Sequence, residues 1–190
     1  GMIMTMENGW VSVDALFEAV NREEYVILRN HQSITKRCLE GEDLDILCRD
    51  KDRFVNRSAA KPLANIQPCY NYYTTVGSMR VLMDIRTIGD GYYDAQWELN
   101  MLQRRVPCKN YYVLSDVDYP YSLLYHMLLH KRASDTGKYE RELKSLFGEA
   151  WGDLSVQKEL LYRFMQQNGY RCTVPSDTGV YLNRENFLQM

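Results

Sequence analysis

At 190 residues, with 45% hydrophobic side chains and a formal charge of −2, the chain suits one ordinary domain, or a small domain with an appendage, around a packed core. No apolar run approaches the ~20 residues of a membrane span, no basic-then-apolar leader opens the chain, and the near-neutral balance gives no general pull toward nucleic acid or an anionic membrane. Five scattered cysteines, Cys38, Cys48, Cys69, Cys108 and Cys172, include no closely spaced pair, which reads as reduced thiols in a cytoplasmic protein; the charge and hydropathy predict no membrane partner and do not favour nucleic acid.

In chain order, Gly1 ahead of Met2 reads as an added residue. Ser12 is placed to cap a helix whose apolar positions are Val13, Leu16, Phe17 and Val20. The β-branched and aromatic run Tyr25 to Arg29 predicts a strand, and His31 to Leu39 a short polar helix or turn. Gly41 to Cys48 predicts a second strand. Asp50 then caps a helix that stops near Lys61, because Pro62 disfavours helical geometry in the residue before it. Cys69–Val76 and Met79–Arg86 flank Gly77-Ser78, a two-residue hairpin turn with glycine first. A turn at Gly89–Asp94 leads into a helix through Trp97 and Leu102 that ends before Pro107. From about Asp116 the pattern is helical, with segments through Leu123–Leu128, Tyr139–Phe147 and Ser155–Gln167, the last ending at Asn168-Gly169. The tail from Tyr170 reads as a short strand or an ordered loop.

The chemistry gathers in the second strand, Gly41-Glu42-Asp43-Leu44-Asp45-Ile46-Leu47-Cys48. Alternate strand residues share a face, so Asp43 and Asp45 stand roughly 6–7 Å apart on one side while Leu44, Ile46 and Cys48 face the core. Two neighbouring carboxylates offer half a site for a hard divalent cation, which takes oxygen ligands and fills its shell with substrate phosphates. In the later hairpin Met79, Val81, Met83 and Ile85 make one face and Arg80, Leu82, Asp84 and Arg86 the other, so Asp84 is a third strand carboxylate.

This order of elements, with an acid pair on one strand and a third acid on what would be a neighbouring one, resembles the polymerase β-like nucleotidyltransferases over roughly the first hundred residues. It is most similar to small bacterial members of uncertain substrate, some of them associated with polysaccharide or surface-glycan synthesis. The resemblance implies an α+β fold: a small mixed sheet flanked by helices over residues 1–106, then a helical C-terminal segment over 107–190. It also implies Mg²⁺ (or Mn²⁺) held by Asp43, Asp45 and Asp84, and a nucleoside triphosphate and a small-molecule or glycan acceptor as partners. Two metal ions can stabilise both the attacking and leaving oxygens of such a displacement. That family carries a Gly-Ser step about ten residues ahead of its acid pair. Here Ser33 stands without the glycine, and Arg29, Ser33 and Lys36 are the implied phosphate contacts.

Blander readings stand beside these. The acid–apolar–acid run is also what a half-exposed strand looks like, and Asp84 between Arg80 and Arg86 also reads as an ion-paired sheet face. His126 and His130, four apart, have zinc spacing but no third ligand, and read as helix packing. The tyrosines Tyr70, Tyr72, Tyr73, Tyr92, Tyr93, Tyr111 and Tyr112 read either as a stacking surface or as half-buried strand residues. A glycosyltransferase with a manganese-bound acid pair needs more strand–helix units ahead of the motif than some forty residues supply. An inactive nucleotidyltransferase-like binding module is the remaining alternative.

Overall fold

Helix α1 (Val13–Val20) begins where expected: the Ser12 side chain accepts from the Ala15 N–H at 3.1 Å, and Leu16 and Phe17 are almost fully buried. Burial of that kind contributes about 1.5–3 kcal/mol per side chain. These are features of a computed structural model in which residues 9–190 are described; the reading of Gly1 and Met2 lies outside them. The described residues up to Ile88, with Leu99–Leu114, form one compact unit, and Gly89–Glu98 with Ser115–Met190 form another.

The first unit is built on a seven-stranded mixed sheet in the order β3-β4-β5-β2-β1-β7-β6. Its strands are β1 (Tyr25–Ile27), β2 (Leu44–Cys48), β3 (Lys61–Pro62), β4 (Asn71–Val76), β5 (Met79–Thr87), β6 (Val106–Cys108) and β7 (Tyr111–Val113). The middle strand, β2, runs antiparallel to β1 and parallel to β5. On the core face Tyr25, Ile27, Leu44, Ile46, Cys48, Val81, Met83 and Ile85 meet α1 residues, as the alternation requires. On the other face Val26, Leu28 and Leu47 are buried as well, while Asp45, Leu82 and Asp84 are part-buried and Arg80 is exposed. Helix α2 (Ile34–Leu39) precedes β2. Helix α3 (Lys51–Arg57) follows it, capped by Asp50, whose carboxylate accepts from the Arg53 N–H at 3.1 Å; such a cap contributes about 1 kcal/mol.

Three expectations change. The Asp43 strand starts only at Leu44, leaving Asp43 just outside it. The helix after Asp50 ends at Arg57, and Lys61–Pro62 becomes an edge strand, where a proline's missing N–H costs the sheet nothing. Residues 107–113, expected to open the helical segment, complete a β6–β7 hairpin, so the sheet extends beyond residue 106.

The second unit is helical: α5 (Tyr119–His130), α6 (Gly137–Phe147), α7 (Leu154–Asn168) and α8 (Arg184–Leu188), the last unforeseen in the tail. Helix α4 (Ala95–Gln103) is divided between the two units. Every residue of α5 from Ser122 to His130 is buried, and α6, α7 and α8 all pack on it. Trp97 stacks on Tyr170 (centroids 5.5 Å apart) and donates from its indole N–H to Asp118 Oδ1 at 3.1 Å. His126 and His130 take the packing role. Their Nδ1 atoms are 3.0 Å apart, and the Tyr92 hydroxyl lies 3.1 Å from His126 Nδ1.

After α7 the chain runs back as an irregular strap over the Gly89–Asp94 turn. The Arg171 N–H donates to Asp94 Oδ2 (2.9 Å), Thr173 N–H to the Tyr125 hydroxyl (3.1 Å) and Ser176 N–H to the Asp90 carbonyl (2.7 Å). The strap passes so close that a Cβ on Gly91 would sit 2.2 Å from the Val174 carbonyl oxygen, and Gly91 itself has φ +78°. Only glycine meets both conditions.

Candidate active site

Two strand pairings bring the acids of the first unit together. In the parallel β2–β5 pairing Asp45 is in register with Asp84, and in the antiparallel β4–β5 pairing Asp84 is in register with Asn71. Residues in register on neighbouring strands share a face, about 4.7–4.9 Å from strand to strand. Asp45, Asp84 and Asn71 therefore form a row across three adjacent strands. Asp43, one residue ahead of β2, sits at the surface beside this row.

Each acid is handled differently. Asp45 Oδ2 lies 3.3 Å from Arg29 Nη1, on a side chain that is nearly all buried. The guanidinium reaches it from just beyond β1. Asp84 Oδ1 accepts from Asn71 Nδ2 at 2.6 Å. Burial lifts the Asp84 carboxyl to about 6, helped by the charges of Asp45 and Asp43 and opposed by Arg86 and the Asn71 hydrogen bond. Asp43 is raised too, first by desolvation of its carboxylate and then by Asp45 and Glu42. Of the two arginines read as an ion-paired face, Arg80 lies over the Tyr73 ring, 4.0 Å from its centroid, and Arg86 is buried two residues along from Asp84.

The three residues read as phosphate contacts divide. Arg29 joins the acids. Ser33 and Lys36 instead line a surface groove of about 900 Å³ with Ser12, Asp14, Lys109 and Tyr111, a groove to which none of the three acids contributes. Lys36 is 74% exposed there, with Glu40 4.0 Å away. Ser33 precedes α2 without a side-chain capping bond and at φ +54°, a region that glycine enters without strain. The turn after β1 uses the same region at Asn30, φ +62°. Left-handed backbone thus occurs twice between Arg29 and α2, with no glycine at either place.

Among the described residues no group of three or more His, Cys, Asp or Glu side chains is placed to hold a metal ion, so the structure pairs Asp45 with Asp84 and does not gather Asp43 with them into a closed carboxylate cage. The donor set nonetheless fits a hard divalent cation. It is oxygen only, the ionised acids oppose one another, and one or two protein carboxylates suffice where phosphate oxygens complete the shell. Asn71 was missed in the sequence. Its signal was present, because a two-residue turn that pairs Val76 with Met79 also pairs Asn71 with Asp84.

No protein-family model and no curated protein matches the chain. Among solved structures, it is similar to the crystal structure of an antigenic nucleotidyltransferase-like protein from Paracoccidioides brasiliensis, with a TM-score of 0.47 and 11% identity over 83% of this chain and 87% of that one. What the site does has to come from this chain's own residues.

Proposed function

We propose that the chain is a metal-dependent nucleotidyltransferase, or a related phosphotransferase, that moves a nucleotidyl group from a nucleoside triphosphate to a small-molecule or glycan-precursor acceptor. The observation that carries this reading is the in-register pair Asp45 and Asp84 on adjacent parallel strands, with Asp43 close enough for its charge to act on both. Asp45 and Asp84, with Asp43 beside them, would hold Mg²⁺ or Mn²⁺. When bound, the ion supplies charge stabilisation at the phosphate oxygens.

The residues themselves divide the remaining work. Arg29 holds Asp45 in place and puts a positive charge beside the phosphates. Asp84, at the centre of the row between Asp45 and Asn71, is the carboxylate placed to act as general base. It takes the proton of the acceptor hydroxyl as that oxygen bonds to the α-phosphorus; the bond to the bridging oxygen breaks and pyrophosphate leaves. The lack of a closed three-ligand group, and the Arg29 guanidinium already on Asp45, favour one other reading, a binding module that has lost turnover. Release of pyrophosphate separates the two.

The test is thermal stability of the full chain with each triphosphate, with and without Mg²⁺ or Mn²⁺. Saturating ligand at a hundred times its Kd stabilises by about 2.7 kcal/mol. The double variant Asp43→Asn, Asp45→Asn takes a carboxylate from the buried Arg29 guanidinium, so its baseline melting temperature should fall, and relative to that baseline it should lose the metal-dependent part of the shift. A double variant that keeps the wild-type shift puts the site elsewhere.

A further inference from the structure

The row across the sheet ends in a residue that neither holds charge nor is part of the core. Asn71 opens β4, and its backbone is fixed from two sides: its carbonyl accepts from the Leu63 N–H at 2.9 Å and from the Cys69 thiol at 3.3 Å. From that fixed position its side-chain amide donates to Asp84 Oδ1 at 2.6 Å. Asp84 thus has an acid on one flank, Asp45, and an amide donor on the other. The donor comes from the strand, because the register of the hairpin leaves position 71 opposite position 84.

A carboxylate with one oxygen engaged by a fixed donor has lost its freedom to turn, and presents its other oxygen in one direction. Hydrogen bonds of this kind orient carboxylates that bind metals, and their loss typically costs 10–100-fold in metal affinity. We infer that Asn71 is a positioning residue: it holds the Asp84 carboxylate so that its second oxygen is aimed at the cation and the acceptor. The inference rests on the function proposed above. Asn71 touches neither substrate nor reacting atoms in this scheme, and acts only through Asp84.

The experiment measures binding of Mn²⁺ alone to the full chain, read from the electron paramagnetic resonance signal of free Mn²⁺, for the wild type, Asn71→Ala, Asp84→Asn and the double variant. Asn71→Ala should weaken Mn²⁺ roughly tenfold or more with little change in melting temperature. In the double variant the Asn71 change should add nothing to Asp84→Asn, since residues acting through one another are non-additive. Asn71→Ser, which keeps a shorter donor, should recover part of the affinity and serves in place of the alanine variant if that fails to fold. Wild-type affinity in Asn71→Ala, or additive losses in the cycle, overturns the inference while leaving the proposed function standing. A wild type that binds no Mn²⁺ overturns both.

Discussion

Arg29 Nη1 lies 3.3 Å from Asp45 Oδ2, with 4% of the arginine side chain and 20% of the aspartate exposed. A pair this dry is a constraint as well as a contact, because removing either side chain takes a close counter-charge from a group that stays largely out of water. Arg29→Ala should therefore destabilise the protein by about 3 kcal/mol, the low end of the range for breaking a buried pair. The double variant Arg29→Ala, Asp45→Ala should recover much of that loss. Urea unfolding of the two single variants and the double measures it; strictly additive losses would show that the pair is not coupled. Mg²⁺ should partly restore Arg29→Ala, by replacing the missing positive charge.

Asp84 gives a pH signature. Its carboxyl is near 6 in the folded chain against an ordinary 3.8, so the folded state binds this proton more tightly than the unfolded state does. Its contribution to stability is then present at acid pH and is lost as pH rises through about 4 to 6. Asp84→Asn cannot titrate. Compared with the wild type, it should gain stability across that window and hold a constant advantage above it. Unfolding free energies of both proteins at acid and at neutral pH decide this; an unchanged difference between the two conditions would count against the raised carboxyl.

Glu98 in the helical unit makes a separate case. It is fully buried, and its carboxyl is pushed to about 9, first by desolvation and then by Asp90 and Asp94, against backbone hydrogen bonds from Gly89 and Tyr93. Gly89 N–H donates to Oε1 at 3.1 Å. At neutral pH the side chain is a carboxylic acid, which glutamine imitates in shape. Glu98→Gln should fold at pH 7, and its stability relative to the wild type should increase from about pH 5 to 9, as the unfolded glutamate ionises and the folded one does not. Melting temperatures across that range test it, and a variant that falls steadily behind the wild type with rising pH would refute it.

Much of the first unit was legible because its signals are local. Ser12 and Asp50 cap helices through their own following residues, and Gly77-Ser78 sets the register of β4 and β5 by turn length alone. The alternation Val81, Met83, Ile85 against Leu82, Asp84, Arg86 gave the right faces. What was not legible is non-local. That Asp45 stands beside Asp84 depends on a parallel pairing between strands separated by α3, β3 and β4; no spacing in the chain encodes it, and only the family resemblance put the third acid on a neighbouring strand. The burial of Leu47 on the second sheet face has the same cause, since alternation shows that a face exists but not what covers it. The β6–β7 hairpin was lost because each strand has only three residues, too few for a period of two to emerge, and Pro107 reads as a helix stop. Ser33 was sought by residue type and spacing, whereas the turns at Asn30 and Ser33 are defined by positive φ, which neither residue type guarantees.

The strap from Arg171 to Ser176 belongs to no helix or strand, and in a hydrogen-exchange experiment its amides would be assigned in advance to the fast class. Their partners place them otherwise. Three N–H groups from this stretch are taken by Asp94, the buried Tyr125 hydroxyl and the Asp90 carbonyl, and the Val174 carbonyl rests where Gly91 has no side chain. These contacts lie along one short length of chain, so opening any of them requires lifting the segment off the turn beneath it. The amides of Arg171, Thr173 and Ser176 should therefore exchange slowly and at a common rate, as a single cooperative unit. Gly91→Ala should release all three together, giving the segment the exchange behaviour of a loose loop.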